Sequence, residues 1–291
     1  MSRILSRPNK SLLRANVGNF LTRTITGILF VIVVIASVIW KQIVFSSLFL
    51  VVTMAGLLEF YRIAGNNNSR AVKVLGVTAG LVLYVTAALV ANGLAGIRIL
   101  VINVAVCPLI LIYSLFRRTS VPFSDVSVIL LGVLYVTLPF ALFNFFFNPV
   151  MAPGGFYYEL VLGFFAVMWI NDTAAYLVGM GVGKHPLFKR ISPKKTWEGS
   201  IGGLIFGIIT AWVLSRFFIR LTLPQWVIYA VIIMVTGTLG DLVESMLKRS
   251  HRLKDSGKIL PGHGGILDRF DGVLMAVPFT FLYLLYVFGV Y

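Results

Sequence analysis

The residues with the clearest chemical potential lie between Ser245 and Asp271. They read Ser245-Met246-Leu247-Lys248-Arg249, then Lys254-Asp255, then Pro261-Gly262-His263-Gly264-Gly265-Ile266-Leu267-Asp268-Arg269-Phe270-Asp271. Lys248, Arg249, Arg252, Lys254 and Lys258 sit here with Asp255, Asp268 and Asp271, between two apolar segments of membrane length. Charge held against the lipid boundary is costly, and a chain that keeps it there uses it. Asp268 and Asp271 are three apart and share one helix face. Gly264 and Gly265 offer flexible backbone N–H groups of the kind that suit phosphate. The stretch reads as a place where a polyphosphate and a divalent cation meet at a membrane surface.

Asp241, Glu244, Asp268 and Asp271 are the metal candidates. Their hard oxygens suit Mg²⁺, which keeps waters and shares its shell with substrate phosphates. No Cys/His set has zinc spacing. The competing reading pairs these acids with Arg249 and Arg269 as structural ion pairs. Asp241 and Asp271 lead as ligands; Glu244 is a supporting partner or faces the cytoplasm. Asn171-Asp172 lies inside an apolar segment, and either lines a polar cavity as a ligand or nucleotide contact or makes an interhelical hydrogen bond. In Ser192-Pro193-Lys194-Lys195-Thr196-Trp197-Glu198-Gly199, Lys194 and Lys195 can meet a triphosphate as point charges. Thr196 or Ser192 caps the helix that follows. His263 binds phosphate, acts as an acid, or fills the turn; a general base is not needed, because phosphate nucleophiles are already ionised. Gly179, Gly181 and Gly183 follow no strand, so a dinucleotide-binding reading fails, and loop flexibility or close packing accounts for them better.

The elements that must position these residues are membrane helices. The 291 residues are 58% apolar and only 12% charged, and mean hydropathy is +0.94. A soluble domain of this length could not hide that much apolar surface. About nine segments are long enough to span, near 24–41, 43–61, 73–94, 97–116, 127–148, 157–180, 200–220, 225–247 and 265–289. The expected fold is an all-α polytopic membrane protein. Residues 1–23 form a basic N-terminal segment, as an interfacial helix or a tail, with no sign of a cleaved signal peptide. Residues 24–156 form an N-terminal transmembrane region of about five helices, and residues 157–291 a catalytic region of about four. With the N-terminus inside, every Lys and Arg of the 25 falls on the cytoplasmic side except Lys41, Arg98, Arg216 and Arg220, which gives N-in, C-out topology. The 181–199 and 248–264 loops then share the cytoplasmic side. Of the ten acidic residues, Asp172, Glu198, Asp241, Glu244, Asp255, Asp268 and Asp271 gather at that depth. The net charge of +15 suits both this orientation and anionic partners. Cys107 lies in an apolar run and reads as a small buried residue.

The block from Ser245 to Asp271 resembles the hallmark of the phosphatidate cytidylyltransferases, or CDP-diacylglycerol synthases. The Ser192–Gly199 and Asn171–Tyr176 stretches are similar to two further blocks of that family, so the resemblance covers about residues 165–285. It implies CTP and phosphatidate as substrates, CDP-diacylglycerol and pyrophosphate as products, and Mg²⁺, alone or with a second cation, as cofactor. It implies a homodimer in the cytoplasmic (inner) membrane of a bacterium, with the site facing the cytoplasm. Partners are then CTP, phosphatidate and membrane lipid, with no nucleic acid. In that reading Asp241, Asp268 and Asp271 hold metal, while Lys194, Lys195, Lys248, Arg249 and Arg269 clamp phosphates. Thr196, Lys254, Asp255, Gly264 and Gly265 join Asn171 and Asp172 around the substrates. A lipid-linked phosphotransferase such as a polyprenol kinase is the nearer rival, and an ion-coupled transporter the more distant one.

Overall fold

The computed structural model describes residues 10–64, 70–118, 120–149, 155–253, 256–257 and 264–289, with side chains from residue 24 onward. Helix dominates, for a physical reason. In hydrocarbon the backbone has no water to bond, so an apolar segment must satisfy its own N–H and C=O groups. The helices are α1 (Lys10–Trp40), α2 (Gln42–Ala64), α3 (Arg70–Ala91), α4 (Val106–Leu115), α5 (Pro122–Gly132), α6 (Leu138–Phe143), α7 (Tyr158–Val182), α8 (Trp197–Phe217), α9 (Leu223–Ser250) and α10 (Leu267–Val287). Among the described residues, eight helical segments are long and apolar enough to cross a membrane, and the apolar part of α1, Thr24–Trp40, is shorter. Ile28, Leu29, Val51, Val104, Leu131, Ile205 and Leu282 stand exposed on the outside. Such a surface belongs in lipid, and the chain is a multi-pass, helical membrane protein.

α1 begins at Lys10, within the basic N-terminal segment, and runs unbroken to Trp40. Elsewhere the structure departs from the sequence expectation. Cys107 is exposed rather than buried, because its helix faces outward. The fifth apolar run is not one regular helix. α5 passes into a π turn over Val133–Thr137, then α6, then a 3-10 turn over Asn144–Phe147. Pro139 explains the break: it has no N–H, and its ring crowds the carbonyl four residues back. The Leu138 N–H reaches back five residues to the Val133 carbonyl instead. Asn144 ties the end of this run to α2, accepting from Ser46 Oγ at 2.6 Å.

The core is aromatic. Phe49 of α2 and Phe140 of α6 meet Phe270 of α10 edge-on, with ring centroids 5.6 and 5.4 Å away. Phe270 therefore sets the rotation of α10, and with it the directions of Asp268 and Asp271. α7 packs on α8, and α9 on α10, through small residues that bring backbones close. A Cβ on Gly203 would lie 2.6 Å from Asn171 Oδ1, and one on Gly199 would lie 2.7 Å from the Ala175 carbonyl oxygen. A Cβ on Gly240 would collide with the Asp271 carbonyl. Between α7 and α8 the chain forms a small antiparallel hairpin that hydropathy did not anticipate. Its strands are β1 (Pro186–Phe188) and β2 (Ser192–Thr196), with Pro186 opposite Thr196 and Phe188 opposite Ser192.

Candidate active site

Predicted residues that the structure describes gather toward one end of α7–α10, in two groups of different character. The first is open. Of the two expected caps, Thr196 takes the role: it has extended backbone, and its Oγ1 accepts from the Gly199 N–H at 3.2 Å. This fixes the junction of β2 and α8, and Lys195 projects from it to place Nζ 2.5 Å from Asp241 Oδ2. The Lys195 and Asp241 side chains are 28% and 38% exposed. Asp241 follows Gly240, the residue whose missing side chain lets α10 come close, so Asp271 sits beside it. Asp271 Oδ1 accepts from the Gly272 N–H at 2.7 Å. Asp172 is accessible and accepts from Asn171 Nδ2 at 3.1 Å. Asp172, Lys195, Asp241 and Asp271 all lie within electrostatic reach of one another.

The second group is closed. Lys248 Nζ pairs with Glu244 one turn earlier, a buried residue, and with Asp268 Oδ1 at 2.7 Å. The other Asp268 oxygen accepts from the Ser256 N–H at 3.0 Å, the Ser256 hydroxyl at 2.9 Å and the Gly265 N–H at 2.9 Å. Gly264 sits at φ +85°, and a Cβ there would lie 2.7 Å from Asp268 Oδ2, so both backbone and space demand glycine. The Gly265 amide, expected to serve phosphate, is thus donated to Asp268. The four acids grouped as metal candidates divide accordingly: Glu244 and Asp268 are held by Lys248, while Asp241 and Asp271 belong to the open group.

The remaining predicted residues distribute as follows. Lys194 and Arg249 are exposed and pair with no acid among the described residues. Arg269 is also exposed. Lys254, Asp255 and His263 lie outside the described residues. Gly179 and Gly183 pack against Thr196, which selects close packing as their role, whereas Gly181 faces open space.

Sequence reasoning missed two residues from the N-terminal half. Glu59 of α2 is fully buried, and its Oε2 accepts from the Leu267 N–H at 3.0 Å and from Ser256 Oγ at 3.3 Å. Tyr135, on the π turn, has a buried hydroxyl with no partner among the described residues, within electrostatic reach of Asp241, Glu244 and Asp271. A signal for Glu59 existed: it is late in the second apolar segment, which the expected span order runs toward the side of the other acids. Nothing in the sequence marked Tyr135.

Among the described residues no three His, Cys, Asp or Glu side chains form a ready-made metal cage. The donor set nonetheless fits Mg²⁺, which needs one or two carboxylates and completes its shell with water and phosphate oxygens. Asp241 and Asp271 supply such a pair.

Comparison with known proteins shows the family. The model of the cytidylyltransferase family matches residues 21–287. Proteins named phosphatidate cytidylyltransferase from Staphylococcus haemolyticus and Staphylococcus aureus are 41% and 40% identical over 177 residues. One from Staphylococcus epidermidis is 39% identical over the same length. Each match covers 60% of this chain and 65% of the relative, so the aligned part spans just under two thirds of the relatives' length. With the family model spanning nearly the whole chain, the chain belongs to the cytidylyltransferase family.

Proposed function

We propose that this protein transfers the cytidylyl group of CTP to phosphatidate, giving CDP-diacylglycerol and pyrophosphate. The observation that carries the reading is the meeting of Lys195 from the α7–α8 hairpin with Asp241 and Asp271 from α9 and α10, at the helix ends that also carry Lys194, Arg249 and Arg269. Phosphatidate stays in the leaflet and presents its headgroup at this surface; CTP arrives from the cytosol. An oxygen of the phosphatidate phosphate attacks the α-phosphorus of CTP. The bond from that phosphorus to the α,β-bridging oxygen breaks, and pyrophosphate leaves. Both reactants are anions, so positioning and charge neutralisation supply the catalysis. Lys194 and Lys195 meet the triphosphate. Arg249 and Arg269 flank the transferring phosphate, where a planar fork fits two oxygens. Lys248 is held between two acids and orders the loop rather than clamping substrate. Asp241 and Asp271 would hold Mg²⁺, which supplies Lewis-acid neutralisation of phosphate charge when bound.

The same reading puts α1 across the membrane as a ninth span and the hairpin in the cytoplasm, in the cytoplasmic membrane of a bacterium, in a homodimer. Charge asymmetry supports the orientation. The decisive assay follows pyrophosphate release by the purified full chain, with Mg²⁺, as CTP and phosphatidate are withheld in turn. Release that requires both supports the reading. Transfer of a terminal phosphate to a polyprenol would make the protein a lipid kinase, and no nucleotide chemistry at all would return the transporter reading.

A further inference from the structure

We propose that Glu59 is a positioning residue for the signature turn: the N-terminal half reaches across the fold to lock both described ends of the 256–267 segment. The geometry is direct. On one side Ser256 donates its hydroxyl to Glu59 Oε2 at 3.3 Å, and on the other the Leu267 N–H donates to the same oxygen at 3.0 Å. Leu267 opens α10, so the carboxylate sits on the positive end of that helix dipole. The segment is built to admit it. A Cβ on Gly257 would strike Glu59 Oε1, and one on Gly265 would strike Oε2. Glu59 is 0% exposed, and its Oε1 has no hydrogen-bond partner among the described residues. A fully buried carboxylate is costly to desolvate. Apolar packing at this position would serve a purely structural helix contact better. Ser256 is the hinge of the arrangement, because its single hydroxyl proton is shared between Glu59 Oε2 at 3.3 Å and Asp268 Oδ2 at 2.9 Å, the acid that holds Lys248. Glu59 and Asp268 therefore meet at one serine. Losing Glu59 frees the start of α10, and with it the spacing between Asp268, Arg269 and Asp271 and the ends of α9. Among the described residues Glu59 bonds to Ser256 and Leu267 and to neither the open acids nor Lys195, so it acts through the segment it holds.

The kinetic part of this proposal rests on the cytidylyl-transfer reading; the structural part does not, and the test separates them. Hydrogen–deuterium exchange of the full chain in detergent is followed on peptides covering 256–267 and, as internal reference, on α7. Glu59→Gln should speed exchange in the 256–267 peptides by about tenfold or more and leave α7 within about twofold, because the lost acceptor serves local amides. Should Glu59→Gln fail to fold, Gly257→Ala and Gly265→Ala push on the same carboxylate from the other side and must give the same exchange gain. In the CTP- and phosphatidate-dependent assay, Glu59→Gln should raise the KM for CTP about fivefold or more and leave that for phosphatidate within about twofold. Glu159→Gln, which removes the carboxylate paired with Arg220 at 3.1 Å, should behave as wild type. Unchanged exchange in 256–267 for all three variants overturns the proposal, whatever the activity. Faster exchange with activity lost only in proportion to folded protein also overturns it, reducing Glu59 to a fold residue. A wild-type chain that makes no CDP-diacylglycerol overturns the reaction reading alone, and the exchange result then decides Glu59.

Discussion

At the scale of single residues, the division into an open and a closed group separates roles that charge type alone would merge. Lys195 and Lys194 are neighbours, yet Lys195 is paired with Asp241 and Lys194 is exposed. Lys248 differs from both, with a side chain only 16% exposed between Glu244 and Asp268. Removing it strands a buried acid, a change that costs about 3–5 kcal/mol. Lys248→Met should therefore lower the midpoint of thermal unfolding in detergent by several degrees, while Lys194→Ala leaves it unchanged and raises the KM for CTP. Equal stability of the two variants would mean that the closed group does not hold the loop. The acids divide likewise. Asp241→Asn and Asp271→Asn keep shape and lose a hard ligand, so Mg²⁺-dependent turnover should drop by roughly 100-fold or more in folded protein. Near-normal turnover in either variant removes that residue from the metal site.

At the scale of elements, the site depends on how closely two helix pairs approach. α9 and α10 touch backbone to backbone at Gly240, where the Asp271 carbonyl occupies the place of a side chain. Gly240→Ala must push the helices apart, because its obstacle is backbone and cannot rotate away. Activity should fall at least about tenfold, since displacements near an ångström at a reacting centre cost up to about 100-fold. Gly181→Ala is the matched control: a Cβ there meets nothing within 4 Å, and a residue of α7 gains helix propensity. It should keep wild-type activity; loss in both would point to glycine content rather than helix approach. Phe270 works on the same scale, because its edge-on contacts with Phe49 and Phe140 fix α10 about its axis.

At the scale of the whole molecule, the N-terminal half packs against the polar groups of the C-terminal half. The N-terminal half supplies Glu59 beneath the signature turn, Tyr135 beside the acids and the aromatic bed for Phe270. Orientation is the property of the whole chain that the charges predict most sharply. Lys189 is exposed at the tip of the hairpin before α8, and Ile219 is 93% exposed just beyond its other end. The 21 residues of α8 separate them by ~31 Å at ~1.5 Å per residue, a full hydrocarbon thickness. In a Cys107→Ser background, Lys189→Cys should react with a membrane-impermeant thiol reagent only from the cytoplasmic side, and Ile219→Cys only from the opposite side. Reaction of both from one side would break the alternation of spans.

What the sequence determined by itself was everything governed by local rules. Apolar runs of membrane length must be helices, so the segments at 43–61 and 225–247 correspond to α2 and α9 within a few residues. Thr196 was legible as a cap because capping needs only the residue and the amide three places on. Asp268 and Asp271 were legible as acids on one turn. The π turn was not legible, although Pro139 was visible, because proline says that a helix must yield and not how neighbours will accommodate it. The hairpin escaped hydropathy because its strands are too short and polar to carry a period. Only the tertiary structure decided which acid meets which base. Asp241 and Glu244 lie three residues apart, yet one faces Lys195 and the other Lys248. That choice depends on helix rotation, and rotation is set by long-range packing such as Phe270 in its aromatic bed. Glu59 shows the same limit: its partners Ser256 and Leu267 lie about 200 residues away, and nothing local in a chain announces a contact that exists only once helices pack side by side.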